Sequence, residues 1–107
     1  MAPLRNAELW KGTASSGTPA TVYTVPAGKL VVVKSVNAQN TSGSSSTFGV
    51  QVDTLYVWSV VLAAYNAAGS GQEWRPWLAV PAGSVLKVFC SSGHTVDVVI
   101  SGSIYFV

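Results

Sequence analysis

The four residues Val-Pro-Ala-Gly occur twice in the chain, at residues 25–28 and again at residues 80–83. Each copy follows a β-rich run and precedes a second apolar run. Proline fixes φ and has no N–H group, which suits the second position of a type I or II turn, and glycine accepts a positive φ. The repeat therefore predicts two corners between strands, and its double use suggests a sheet protein built in two parts.

Alternating apolar residues indicate which side of each strand faces a core. Residues 21–25 have strong strand composition, and residues 29–36 carry β-branched side chains on both faces. The second pattern is typical of a central strand, or of a strand whose outer face meets another subunit. Three further strands each place one set of residues inward: Phe48, Val50 and Val52; Leu86, Val88 and Cys90; Val96, Val98 and Ile100.

Four segments depart from simple alternation. Residues 55–64 also fit a helical stripe, but their composition and the flanking strands favour a strand. Pro76 cannot donate to a ladder, so residues 73–80 are predicted to lie at a sheet edge or to contain a bulge. Residues 101–103 are predicted to bend or bulge the last strand. The four apolar residues that follow, 104–107, require burial in the sheet or against a partner.

These patterns predict an all-β fold, an antiparallel two-sheet sandwich of jelly-roll type with seven or eight strands. Residues 20–107 are predicted to form the sandwich, and residues 1–19 an N-terminal arm. The portion of the arm from Glu8 to Ala14 is expected either to add a strand or to lie across a neighbouring molecule.

Charged residues make up only 9% of the 107 residues, whereas apolar residues make up 49%. About 25% charge is typical of a soluble domain, so much of this surface must be small polar or apolar. Such a surface favours association. The six basic residues are scattered and the net charge is +2, which argues against nucleic acid as a partner. The first residues lack a signal-peptide core, and no apolar run is long enough for a bilayer, so we expect synthesis in the cytoplasm and no membrane partner.

Residues that carry chemistry are few. His94 is the only histidine, and we interpret it as a polar turn residue. Cys90 is the only cysteine, and it is expected to be a small buried apolar residue. The four carboxylates are well separated and show no metal-ligand or glycosidase spacing. We predict no catalytic residues, no metal, no cofactor and no enzymatic activity.

The four tryptophans are Trp10, Trp58, Trp74 and Trp77. Trp74 and Trp77 flank Pro76, and at least one of them is expected at the surface. Aromatic platforms on β-sandwiches bind sugars, which leaves carbohydrate binding as an alternative. The favoured interpretation is that the tryptophans fill the core or the rim of a subunit contact.

The order of these signals resembles a known family. Residues 23–29 contain the first corner, a Ser/Gly loop follows an apolar strand, residues 77–83 contain the second corner, and residues 99–102 stand near the end. Over residues 21–103 the chain resembles the small β-sandwich structural proteins of tailed bacteriophages, which occur as capsid decoration proteins and as minor tail or fibre modules. The pattern is one of strands and corners rather than of a catalytic motif.

The resemblance implies a non-enzymatic virion protein, most directly a head-stabilising decoration protein that binds the major capsid protein as a symmetric oligomer, most often a homotrimer. A tail, baseplate or fibre component is the alternative within the same class, and a carbohydrate-binding module is the alternative from another. The N-terminal arm is expected to grip the capsid or an adjacent protomer. The candidate interface residues are Leu9, Trp10, Trp74, Trp77, Tyr105 and Val107.

Overall fold

A computed structural model describes the backbone of residues 3–106 and the side chains of residues 7–106. Nine strands run through this part of the chain, and no helix lies within it: β1 (Pro3–Ala14), β2 (Ala20–Thr24), β3 (Lys29–Asn40), β4 (Ser46–Val52), β5 (Leu55–Leu62), β6 (Gly71–Trp74), β7 (Leu78–Val80), β8 (Val85–Cys90) and β9 (Val96–Phe106). Between residues 3 and 106, therefore, no helix is long and apolar enough to cross a bilayer.

The strands form two antiparallel sheets, which confirms the predicted sandwich. The first sheet has the order β1-β9-β3-β6, with β7 also paired to β3, and the second has the order β2-β8-β4-β5. The strand count is nine rather than seven or eight, because residues 3–14 form a strand and because the single strand predicted over residues 73–80 is replaced by two short strands, β6 and β7. The strand over residues 8–14 is one of the two structures expected for that portion of the arm.

The core lies between the sheets and follows the predicted facing. Phe48, Val96 and Ile100 are fully buried, and the other predicted inward residues are buried as well, except for the half-buried Val52. The strand β3 lies between β9 on one side and β6 and β7 on the other, so it is central in its sheet, which is one of the two alternatives that its two-faced apolar pattern predicts. Residues 55–62 are strand rather than helix, as their composition favours.

Each Val-Pro-Ala-Gly corner carries the chain from one sheet to the other. The first joins β2 to β3, and the second joins β7 to β8. Gly28 and Gly83 have φ values of 75° and 86°, as the turn prediction requires. The proline position differs: the Lys29 N–H bonds to the Pro26 carbonyl at 3.3 Å, so proline is the first turn residue rather than the second.

The two corners also hydrogen-bond to each other. The Val25 N–H donates to the Ser84 carbonyl at 3.0 Å, and the Gly83 N–H donates to the Val25 carbonyl at 3.0 Å. Because β2 pairs with β8 while β3 pairs with β7, two identical corners stand side by side and satisfy each other's backbone groups. The two copies of the repeat thus lie side by side at one end of the sandwich.

The bulges near residues 101–103 are in the neighbouring strands and not in β9, which corrects the sequence-based expectation. Leu9 is the extra residue in β1, and Lys34 is the extra residue in β3. Between them Gly102 approaches β3 so closely that a Cβ there would overlap the Val32 carbonyl oxygen. The strand β9 therefore continues to Phe106, and the extra residues are in its two neighbours, β1 and β3.

Candidate assembly surface

The strand β5 is the exposed edge of the second sheet. It pairs with β4 on one side, and the sheet order places no strand of the described chain on its other side. Its eight residues contain no charge, no proline and no glycine. Leu55, Tyr56 and Val61 are exposed by 70%, 64% and 67%. An uncharged, apolar strand edge with free backbone donors and acceptors is a template for pairing with another chain.

The other edge strands of residues 3–106 are protected in ways that β5 is not. The strand β1 contains Arg5, Glu8 and Lys11. The strand β2 is short and lies between Pro19 and Pro26. The strands β6 and β7 are four and three residues long and are separated by a segment that contains Arg75 and Pro76. Charges, prolines and short length are the usual means of preventing edge association.

Among the exposed side chains of β5, Tyr56 packs against an aromatic neighbour. The Tyr56 ring meets the Phe89 ring edge to face, with ring centroids 5.5 Å apart. Phe89 in turn lies over Gly49, where a Cβ would overlap its ring. The Tyr56 ring is therefore preorganised, so partner binding needs little ordering of this side chain.

Trp58 lies on the inner side of β5 and closes the gap between the two sheets. Its ring stacks on Trp74 at 5.4 Å with an interplanar angle of 13° and meets Phe48 edge to face at 5.8 Å. Trp58 and Trp74 are half-buried. This stack connects β5 to β6 of the opposite sheet.

The candidate interface residues predicted from sequence do not form one patch in a single chain. Leu9 is 9% exposed and packs in the core, and Trp10 and Trp74 are half-buried against it. Tyr105 is half-buried and the adjacent Phe106 is 63% exposed. Trp77 is 67% exposed. Val107 lies outside the described residues.

Trp77 is the most exposed tryptophan of residues 7–106, and its backbone is in the left-handed region with a φ of 50°. Such a conformation is unfavourable for a bulky residue, by about 1–2 kcal/mol. The Lys34 Nζ lies 4.6 Å from the centre of the indole ring, within cation–π distance. The ring is thus held at the surface by the bulge residue of β3.

The outer face of the first sheet forms an open groove of about 680 Å³ that crosses β1, β9, β3 and β6. Several of its polar side chains already have partners. Thr13 donates to the Asp97 carboxylate at 2.8 Å, and the Gln39 amide donates to the Ser70 hydroxyl at 3.0 Å. The hydrogen bond between Arg75 and Glu73, at 2.8 Å, raises the pKa of the guanidinium. The groove contains no aromatic side chain among its lining residues.

Cys90 and His94 lie close to each other, since the Cys90 thiol donates to the His94 carbonyl at 3.5 Å. Among residues 7–106, no three of the His, Cys, Asp and Glu side chains form a group that could hold a metal ion. Cys90 is buried, and the loss of solvent raises the pKa of its thiol. The Nδ1 atom of His94 is buried without a hydrogen-bond partner, and the ring stands in the turn between β8 and β9.

The exposed residues of β5 were not among the interface residues predicted from the sequence. No charged residue stands between Asp53 and Glu73, and that interval contains all of β5. Four of the six exposed large apolar residues in the described chain, Leu55, Tyr56, Val61 and Tyr65, lie within it. Absence of charge alone does not identify the edge, because residues 35–52 are also free of charge and contain β4, which lies inside the sheet.

Comparison with known proteins supports the fold. No family model and no curated protein sequence matches the chain. The core of Drosophila NLP, described with pentamer formation and histone binding, is 16% identical over 92% of this chain and 99% of that one, with a TM-score of 0.53. A chain in the capsid of Helicobacter pylori bacteriophage KHP30 is 12% identical over 96% of this chain and 92% of that one, with a TM-score of 0.55.

A third solved structure, latent PorU from Porphyromonas gingivalis, is 15% identical with a TM-score of 0.50, and the match covers 92% of this chain and 11% of that one. At these identities the likenesses show a shared fold. The structural neighbours of this sandwich thus include a phage capsid and an oligomeric histone-binding protein.

Proposed function

We propose that this chain is a non-enzymatic structural protein of a virion, and specifically a capsid decoration protein. The observation that carries the proposal is the uncharged, apolar and exposed edge strand β5, which has 8 residues on a chain with only 9% charge. A protein that acted as an isolated unit would be at risk of aggregation through such an edge. A protein that works within an assembly uses the same edge for contact.

Two further features support this function. Eight strands in two sheets of four, with β6 and β7 counted as one interrupted strand, agree with the proposed jelly-roll type, a fold that viral capsid domains use. The KHP30 capsid chain has nearly the same length and the same fold. The chain would bind the major capsid protein as a symmetric oligomer, with a homotrimer as the form that the family resemblance favours. It would be made in the host cytoplasm and act on the virion.

Electron microscopy of virions from the source of the gene tests this proposal. A gold-labelled antibody against the purified chain is expected to mark regular positions on the head. Label confined to the tail or baseplate would support the alternative position within the virion. Absence of the chain from purified virions would overturn the proposal.

Carbohydrate binding is the second candidate, and the exposed ring of Trp77 is the observation that favours it. One face of this ring meets Lys34, and the chain holds the ring outward in spite of an unfavourable φ. A glycan array tests this function directly. A positive signal that Trp77→Ala removes would support it, Trp74→Ala provides the comparison at the half-buried ring, and the absence of any signal would reject it.

A further inference from the structure

We infer that two copies of this chain pair through their β5 strands in antiparallel orientation, about a two-fold axis that passes beside Ser59. The inference rests on the proposed function, since it names one contact by which the structural protein associates. Because the contact is two-fold, it predicts a dimer for the purified chain in place of the homotrimer that the family resemblance favours. In this dimer, the four-stranded second sheets of the two copies join into one continuous sheet of eight strands.

The facing of the β5 residues restricts the register to those in which a residue lies opposite its own symmetry mate, and pairing along the whole of β5 then places Ser59 at the axis. Val57 is an extra residue in the pairing with β4, because Val50 pairs with Trp58 while Gln51 pairs with Tyr56. The bulge places Tyr56 on the outer face together with Ser59 and Val61. Trp58 and Val60, which pack against the core, lie on the inner face with Leu62.

Two antiparallel copies must place outer residues opposite outer residues, because a one-residue slip would exchange the two faces. With Ser59 opposite Ser59 of the second copy, Trp58 lies opposite Val60. If Val57 bulges again as it does against β4, Tyr56 lies opposite Val61, and Leu55 lies opposite Leu62. Every pair then shares a face, and Tyr56 with Val61 is an aromatic and β-branched pair of the kind that stabilises sheets.

Charge also favours a second copy as the occupant. Self-association places each residue near its own symmetry mate, so any charge at the centre of the strand would meet a like charge. The strand β5 contains none. A partner of opposite charge would have nothing to recognise along this edge.

The size of the contact predicts its strength. Eight residues at about 3.3 Å each give an edge about 26 Å long, and a sheet with its side chains is about 10 Å thick. The strip, with the exposed parts of Tyr56 and Leu55, amounts to roughly 300–500 Å² per copy. About 800 Å² per partner is usual for a stable complex, so we expect a dissociation constant in the micromolar range that repetition within an assembly would strengthen.

Sedimentation of the purified chain over a range of concentrations, together with cross-linking, tests the pairing. Ser59→Cys places two thiols next to each other across the axis, and a short thiol-reactive cross-linker is expected to give a covalent dimer. Cys90 is buried and adds little background. Thr21→Cys is the matched control, because Thr21 is also exposed but lies on β2, about seven strand spacings or roughly 34 Å from its symmetry mate.

Ser59→Lys supplies the opposing test, because it sets two ammonium groups opposite each other at an exposed position. We expect at least a tenfold weaker dimer and an unchanged melting temperature at low concentration, where the chain is a monomer. Association without cross-linking at residue 59, or association that Ser59→Lys leaves unchanged, would overturn the β5 pairing. So would a monomer at every concentration. None of these results decides whether the chain is found on virions, which the antibody label determines separately.

Discussion

Asn40 joins the ends of the two sheets, and its replacement gives the most quantitative prediction for the fold. The residue is fully buried at the end of β3. Its Nδ2 group donates to the carbonyls of Ser44 and Ala63, each at 2.9 Å, and its Oδ1 accepts from the Ser42 N–H at 2.8 Å. One amide therefore fixes the loop after β3 and the residue after β5 at the same time.

The expected cost of Asn40→Ala follows from these three short bonds; a fourth, from Nδ2 to the Leu62 carbonyl, is longer at 3.5 Å. A hydrogen bond contributes about 1 kcal/mol net, and a buried partner left unsatisfied costs more. Ser44 is exposed, and Ser42 and Ala63 are half-buried, so water can replace part of what is lost. We expect a loss of about 2–3 kcal/mol in the free energy of unfolding, which corresponds to roughly 10–20 °C in melting temperature for a domain of this size.

Urea denaturation followed by tryptophan fluorescence measures this change. Asn37→Ala is the control on the same strand, because Asn37 is exposed and its removal should stay within about 0.5 kcal/mol. Asn40→Asp retains the size but turns a donor into an acceptor that faces two carbonyl oxygens, so it should be at least as harmful as the alanine variant at pH 7. A loss below about 1 kcal/mol for Asn40→Ala would refute the reasoning.

Three further predictions concern stability. Gly102→Ala should cost about 2–3 kcal/mol, because the new Cβ overlaps the Val32 carbonyl, whereas Gly43→Ala has no atom within 4 Å and should be close to neutral; equal melting temperatures for the two variants would contradict this. Asp53→Ala should lower the free energy of unfolding by about 2 kcal/mol, because the Asp53 carboxylate accepts hydrogen bonds from the Ser84 hydroxyl and the Val85 N–H, and because the residue has a φ of 56°. Asparagine tolerates that φ, so Asp53→Asn should lose less than half as much in the same denaturation assay. Burial raises the pKa of Cys90, so the folded chain keeps this proton at a pH where the unfolded chain loses it, and stability should fall as the pH rises above about 8.5; the fall should be smaller in Cys90→Ala, and identical pH profiles would exclude the effect.

Local patterns predicted most of the secondary structure correctly. Alternation identified the inward faces of β4, β8 and the first half of β9, because these strands have one side against the core and one side against water or another layer. The two-faced pattern of residues 29–36 allowed a central strand or a strand whose outer face meets another subunit, and β3 is central in its sheet. Pro76 identified the interruption at the sheet edge, because it cannot donate to a ladder.

Local patterns did not predict which residues form the candidate assembly surface. Large apolar residues such as Leu9 and Trp10 attract notice in a sequence, yet a chain also needs such residues to fill its own core. Whether Leu9 faces inward depends on the bulge that shifts β1 against β9, and a strand far away in the sequence determines that bulge. Edge position has the same origin: β5 is exposed because no other strand of the described chain pairs beyond it.

Local residue patterns set where the strands begin and turn, because φ preferences, missing N–H groups and side-chain alternation act within a few residues. The packing of the whole chain sets which strands are neighbours, brings the two Val-Pro-Ala-Gly corners into hydrogen bonding with each other, and leaves β5 at an edge. Those features depend on contacts between strands that are distant in the chain, such as β1 with β9. The free energy of such contacts comes from burying one surface against another, and a local residue pattern does not specify which two surfaces meet.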